Sequence, residues 1–156
     1  MEMVPSKLND AEREYAKRAI AEYKNIRPVV QQGDLYRLVS PYEGKRDFSS
    51  LMYVNESRDK AVLFAYRHLF KHDMSNIIIR LQGLNPDAKY RIREVAPEVE
   101  GKPVQINGKV VSGRYLMEEG IVIPELVKGF TKNAPLGEVR AGNDFRSVVL
   151  ELTKVN

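Results

Sequence analysis

"YKNIRPVVQQGDLYRL", residues 23–38, contains the change of periodicity that decides the fold. Upstream, Leu8, Ala11, Tyr15, Ala19, Tyr23, Ile26 and Val30 recur at helical steps, with Glu12, Arg13, Lys17, Arg18, Glu22 and Lys24 filling much of the remainder. That spacing is an amphipathic helix. Asn9 is placed to cap it, with Glu12 completing a capping box, and Asp10 and Glu12 suit the positive end of the helix dipole. Pro28 lacks the N–H that a helix interior needs, so the helix is expected over 10–27, with room for one further turn to Gln32. Gly33 is expected to close it in the left-handed conformation, and Asp34 reads as a turn residue between helix and strand.

Beyond Gly33 the period shortens. "LYRLV", "SLMYV", "AVLFAY", "NIIIRL", "KYRIREV", "PVQI", "KVV" and "FRSVVLELT" are short, apolar or alternating, and rich in β-branched and aromatic residues, the pattern of strands. Turn chemistry separates them: "NESRD", "NPDAK" with Pro86 preset for a turn, and Asn107-Gly108, a hairpin signal. The expected architecture is mainly β, an antiparallel β-sandwich of Greek-key type preceded by one N-terminal amphipathic helix. Residues 124–144, "PELVKGFTKNAPLGEVRAGND", read as a long loop before the last strand.

The 156 residues, 43% of them hydrophobic, suffice for one core and one domain with an appendage. The 25 basic and 21 acidic residues are interspersed. No basic run points to nucleic acid, and no apolar run approaches the length of a membrane span. The absence of cysteine excludes a disulfide framework, a thiolate zinc site and a cysteine nucleophile.

Candidate chemistry is sparse. His68 and His72 in "RHLFKH" are spaced as a helical metal pair would be, but they follow a β-type run, no third ligand has motif spacing, and they read as histidines of a connecting loop. Asp10, Asp34, Asp47, Asp59, Asp73, Asp87 and Asp144 fall mostly in caps and turns, where backbone reasons explain them, so no acid/base pair stands out. Tyr36, Tyr53, Phe64, Tyr66, Tyr90 and Phe145 offer aromatic faces that suit sugars, but their strand positions make core packing the ordinary reading. No nucleophile elbow and no phosphate-binding glycine loop is present.

Taken together and in order, "AIAEYKNIRPVVQQGDLYRLVSP", "SSLMYVNESRDKAVLFAY", "LQGLNPDAKYRIREV", "SGRYLMEEGI" and "FRSVVLELT" resemble the C-terminal end of melibiase-type α-galactosidases, glycoside hydrolases. Residues 124–144 depart from that pattern, being longer than the family's connection before the final strand. The resemblance implies a parent enzyme with a catalytic (β/α)8 barrel, which removes terminal α-galactosyl groups by a retaining mechanism with two aspartates. Residues 1–33 would then be the terminal helix of that barrel plus a linker, and residues 34–156 the C-terminal β-sandwich. The family's nucleophile lies in a Lys-Trp-Asp segment, whereas this chain has no tryptophan. No position matches either catalytic residue, so the expectation is no catalytic, cofactor-binding or metal-binding residue here, no cofactor, and no turnover by the chain alone. Barrel active sites are built by the βα loops, which a chain starting at the last helix lacks.

Three functions compete: the non-catalytic terminal domain of an α-galactosidase, a stand-alone carbohydrate-binding sandwich, and an assembly module. The expected partners are the catalytic barrel of the parent chain, with galactosides met only through that enzyme. No nucleic acid and no membrane is expected. The helix stripe Tyr15, Ala19, Tyr23 and Ile26, without a barrel to cover it, is expected to fold back on the sandwich or to pair with a second copy, with self-association favoured.

Overall fold

The capping box forms as its residues require: the Glu12 backbone N–H donates to Asn9 Oδ1 and the Asn9 N–H to Glu12 Oε2, both at 2.9 Å. From that cap, the computed structural model, which describes residues 5–42, 47–69, 77–96, 103–127 and 146–155, runs helix α1 over Asp10–Gln32. The helix thus runs through Pro28 and takes the further turn to Gln32, the longer of the two expected ends. Pro28 and Lys24, whose carbonyl loses its partner, are both exposed, so water can satisfy the free oxygen.

Gly33 ends the helix in extended geometry, φ −80° and ψ 159°, and not in the left-handed region. Its requirement for glycine is steric. A Cβ at this position would lie 2.5 Å from the Val29 carbonyl oxygen and 2.8 Å from that of Val54, where helix end and sheet meet. Asp34 is the first residue of a strand, paired with Val54, rather than a turn residue.

Among the described residues six strands follow: β1 Asp34–Val39, β2 Phe48–Val54, β3 Lys60–Arg67, β4 Lys89–Glu94, β5 Val110–Ser112 and β6 Arg146–Val155. They form one antiparallel sheet in the order β1-β2-β3-β6-β4-β5. The last strand is inserted between the third and fourth, so the centre of the sheet forms only once the whole domain is in place. Among the described residues between β5 and β6 lie the short helices α2 Gly113–Glu118 and α3 Pro124–Val127. The fold is therefore mainly β and antiparallel, with one leading amphipathic helix, as expected.

Alternation along the strands sends Met52, Val54, Ala61, Leu63, Ala65, Tyr90, Ile92, Leu150 and Leu152 into one large core. The layer facing them consists of extended chain and short helices: Ile77, Ile79, Leu81, Leu84, Leu116, Ile121, Ile123 and Leu126. Within this layer the described part of "NIIIRL", residues 77–81, alternates in burial like a strand but among the described residues makes only the isolated bridge Ile79–Ile121, and Leu81 donates to the Leu116 carbonyl. It packs onto the sheet instead of extending it. "PVQI" is also not a strand. Val104 donates to Glu94 Oε2 at 2.6 Å, and the Asn107 N–H turns back to the Val104 carbonyl at 2.9 Å. The Asn107-Gly108 turn forms at this point, with Asn107 Oδ1 accepting from the Glu94 N–H at 2.8 Å.

Tyr90 fastens two other expected turns together. Its buried hydroxyl donates to the Arg58 carbonyl at 2.6 Å, within "NESRD", and accepts from the Asn85 N–H at 3.0 Å, at the start of "NPDAK". Of the long loop expected over 124–144, residues 124–127 are the helical turn α3, and the rest lie outside the described residues.

Candidate functional site

The second face of the sheet carries an aromatic row beside the docked helix. Phe64 and Tyr66 of β3 stack at 6.4 Å and 13°, and Tyr53 of β2 meets Phe64 edge-on at 6.2 Å. All three are half-buried. Burial pushes the Tyr66 phenol above its ordinary pKa, with Tyr53 adding to the effect.

Helix α1 covers only part of this face. Ile26 and Val29, 4% and 6% exposed, pack on Val62 and Val95, with Val30, Tyr53, Phe64 and Val149 around them. At about 1.5 Å per residue a helix of 23 residues is about 34 Å long, yet its buried residues all lie in its last third. Tyr15, Ile20 and Tyr23 stay 42–49% exposed. The expected apolar stripe is therefore divided: its Ile26 end folds back on the sheet, one of the two expected outcomes. Ile26 is committed to its own sheet and is not available for self-association, whereas Tyr15 and Tyr23 face outward.

One polar device locks the helix down. Arg93 of β4 donates two 2.9 Å hydrogen bonds to the Glu22 carboxylate and also reaches Glu151 Oε2 at 2.7 Å. Arg93 and Glu151 are direct cross-strand partners, so the sheet presents the guanidinium and the helix supplies the second carboxylate. Hydrogen bonding to Glu22, reinforced by Glu151 against the opposing effect of burial, raises the Arg93 pKa further above its ordinary value. This triad was not anticipated. Its signal in the sequence is Glu22, an acid at helical spacing between Ala19 and Ile26, on the face that meets the sheet.

His68 does not lie loose in a loop: its Nε2 is 2.8 Å from Ser49 Oγ, and its backbone N–H donates to the Asp47 carbonyl at 2.7 Å. His72, Asp73, Asp144 and Phe145 fall outside the described residues. Asp10 pairs with Arg13, Asp87 with Arg114, Asp59 accepts from Asn55 and Ser57 inside its turn, and Asp47 is buried beside β2. The Asn55 and Ser57 bonds hold the Asp59 carboxyl below its ordinary range. Among the described residues no group of three His, Cys, Asp or Glu is placed to hold a metal, and no helix is long and apolar enough to cross a membrane. Glu22 and Glu151 are brought together on this face, and one arginine is hydrogen-bonded to both, the arrangement of an ion-pair clamp.

Fold and face together define a mainly β domain built on one six-stranded antiparallel sheet among the described residues, led in by a helix docked on its outer side. The chain belongs to the glycosyl hydrolase family 36 C-terminal domain family, whose model matches residues 48–152. It is 32% identical over 119 residues to alpha-galactosidase AgaA of Geobacillus stearothermophilus, a match over 76% of this chain and 14% of that protein. A crystal structure of an AgaA variant in complex with raffinose superposes on 96% of this chain and 17% of its own, at a TM-score of 0.68 and 27% identity. The alpha-galactosidase of Lactobacillus brevis covers 99% of this chain with a TM-score of 0.76; at 21% identity that likeness speaks for the fold. The chain thus spans about one-seventh of the length of such relatives.

Proposed function

We propose that this chain is the non-catalytic C-terminal domain of an α-galactosidase, whose catalytic barrel hydrolyses terminal α-galactosyl residues by a retaining, two-aspartate mechanism. The observation that carries the reading is the family match, over a region that makes up only 14% of the AgaA relative. The ion-paired and turn-bound carboxylates described above fit a domain that does no hydrolysis itself.

In this reading residues 1–33 are the last helix of the barrel with its linker, residues 34–156 are the sandwich, and α1 is shared between them. Its last third belongs to the sandwich through Ile26, Val29 and the Glu22–Arg93–Glu151 clamp. Its exposed Tyr15, Ile20 and Tyr23, and the uncovered part of the Tyr53–Phe64–Tyr66 row, are the surface that meets the barrel. The domain then braces the barrel and holds its final helix in place. With the barrel removed, Tyr15, Ala19 and Tyr23 are the face through which two copies associate.

Hydrolysis of p-nitrophenyl α-galactoside tests the proposal. The purified chain is expected to show no turnover, and the same domain joined to its catalytic portion to be active. Turnover by the purified chain above a host-enzyme control would refute it.

A further inference from the structure

At the β5 edge of the sheet, β5, α2 and the extended chain around Ile78 enclose an open groove of about 770 Å³, within the range of small-molecule sites. Its floor is held firmly. Ile79 and Ile121 exchange backbone hydrogen bonds of 2.8 and 2.9 Å. Gly120 permits the close approach: it sits at φ 81°, and a Cβ there would lie 2.6 Å from the Ile79 carbonyl oxygen.

The lining has two characters. Ile78, Val110 and Tyr115, 48%, 44% and 53% exposed, present apolar surface. Lys109 and Glu119 stand beside them with Ser112, and neither charge has an ion-pair partner among the described residues, whereas the neighbouring Glu118 is paired with Arg114.

This combination selects among ligand classes. A purely apolar ligand would desolvate Lys109 and Glu119 without giving them partners, at a cost in free energy. An anion would meet Glu119, and a cation Lys109. A pyranose satisfies all of the groups at once: one face is C–H and stacks on a phenol ring, and its hydroxyls accept from an ammonium and donate to a carboxylate. We propose that the β5–α2 groove binds a neutral oligosaccharide, with Tyr115 as the stacking platform and Lys109 and Glu119 holding hydroxyls. The choice of galactosyl sugars as probe rests on the α-galactosidase reading; the amphipathic chemistry of the groove does not.

Titration of the isotopically labelled full chain with raffinose, followed by amide NMR, tests the proposal. Saturable shifts are expected at Lys109, Tyr115, Glu119 and Gly120. Tyr115→Ala is expected to weaken binding about ten-fold, in line with about 1.4 kcal/mol for an aromatic contact. Tyr42→Ala, at a tyrosine 89% exposed elsewhere, is expected to leave binding unchanged. Tyr115 is on the surface, so its replacement should preserve the spectrum of the folded chain, and Glu119→Gln gives a second variant expected to weaken binding. Absence of saturable shifts for both raffinose and maltotriose, shifts that map outside the groove, or an unchanged affinity in Tyr115→Ala would each overturn the proposal. Groove shifts that grow with protein concentration in the absence of sugar would also overturn it, by identifying a contact between copies. Binding of maltotriose with no response to raffinose would support the groove as a sugar site and count against the galactosidase reading. Failure of the groove would leave the hydrolysis test of that reading untouched.

Discussion

Replacing Ile26 by alanine asks whether the helix belongs to this domain's own core. Ile26 is 4% exposed and packs on Val62, Val95 and Val29. The substitution removes three carbons, which at about 0.8 kcal/mol per buried methylene is about 2.4 kcal/mol of lost transfer free energy. The cavity adds to this, because Val62 and Val95 sit on a hydrogen-bonded sheet and beside its end and cannot follow the missing side chain. The expected loss is then about 3 kcal/mol, inside the range of about 2–5 found for such truncations. Tyr23→Ala on the same helix is the control, since Tyr23 is 49% exposed and its loss should cost no more than about 0.5 kcal/mol. Urea unfolding followed by tyrosine fluorescence and by circular dichroism should give coincident transitions, with Ile26→Ala shifted to a lower midpoint at an unchanged slope. If Ile26→Ala fell within about 0.5 kcal/mol of Tyr23→Ala, or if helical signal melted before the fluorescence transition, the docked-helix reasoning would be wrong.

Arg93→Met leaves Glu22 and the 9%-exposed Glu151 side chain facing each other without their cation, and should destabilise by about 2–4 kcal/mol in the same urea assay; a cost below about 0.5 kcal/mol would mean that water already screens the clamp. Gly33→Ala should cost about 1–3 kcal/mol through overpacking despite an ordinary φ of −80°, read as a lowered melting temperature, and an unchanged melting temperature would show that helix and sheet can part at that point. Tyr90→Phe strands the Arg58 carbonyl and the Asn85 N–H and should cost about 1–3 kcal/mol in chemical denaturation. Because burial raises the Tyr66 pKa above 10.0, the unfolded chain ionises first; the contribution of Tyr66 is intact below that pH and is lost as pH rises past it, so Tyr66→Phe should flatten the alkaline decline of stability.

The local devices were readable in residue order. The Asn9–Glu12 capping box, the period change at Gly33, the "NESRD" and "NPDAK" turns and the six ladder strands each depend on neighbours in sequence, and each formed. "NIIIRL" and "PVQI" carry the same alternation as true strands, and what separated them was the partner each met in the tertiary structure. Ile79 found Ile121 instead of a ladder, and Val104 found the Glu94 carboxylate. Which of the two expected helix ends applies, residue 27 or Gln32, was open for a similar reason, because the cost of a missing N–H depends on whether the freed carbonyl faces water or core. Composition and strand pattern by themselves determined a mainly β domain with an amphipathic lead-in helix. Only the tertiary structure decided which helix face is buried, since Glu22 reads as a surface charge until Arg93 and Glu151 are placed opposite it by strand register. The insertion of β6 between β3 and β4 likewise joins residues far apart in sequence, and no local period records that pairing.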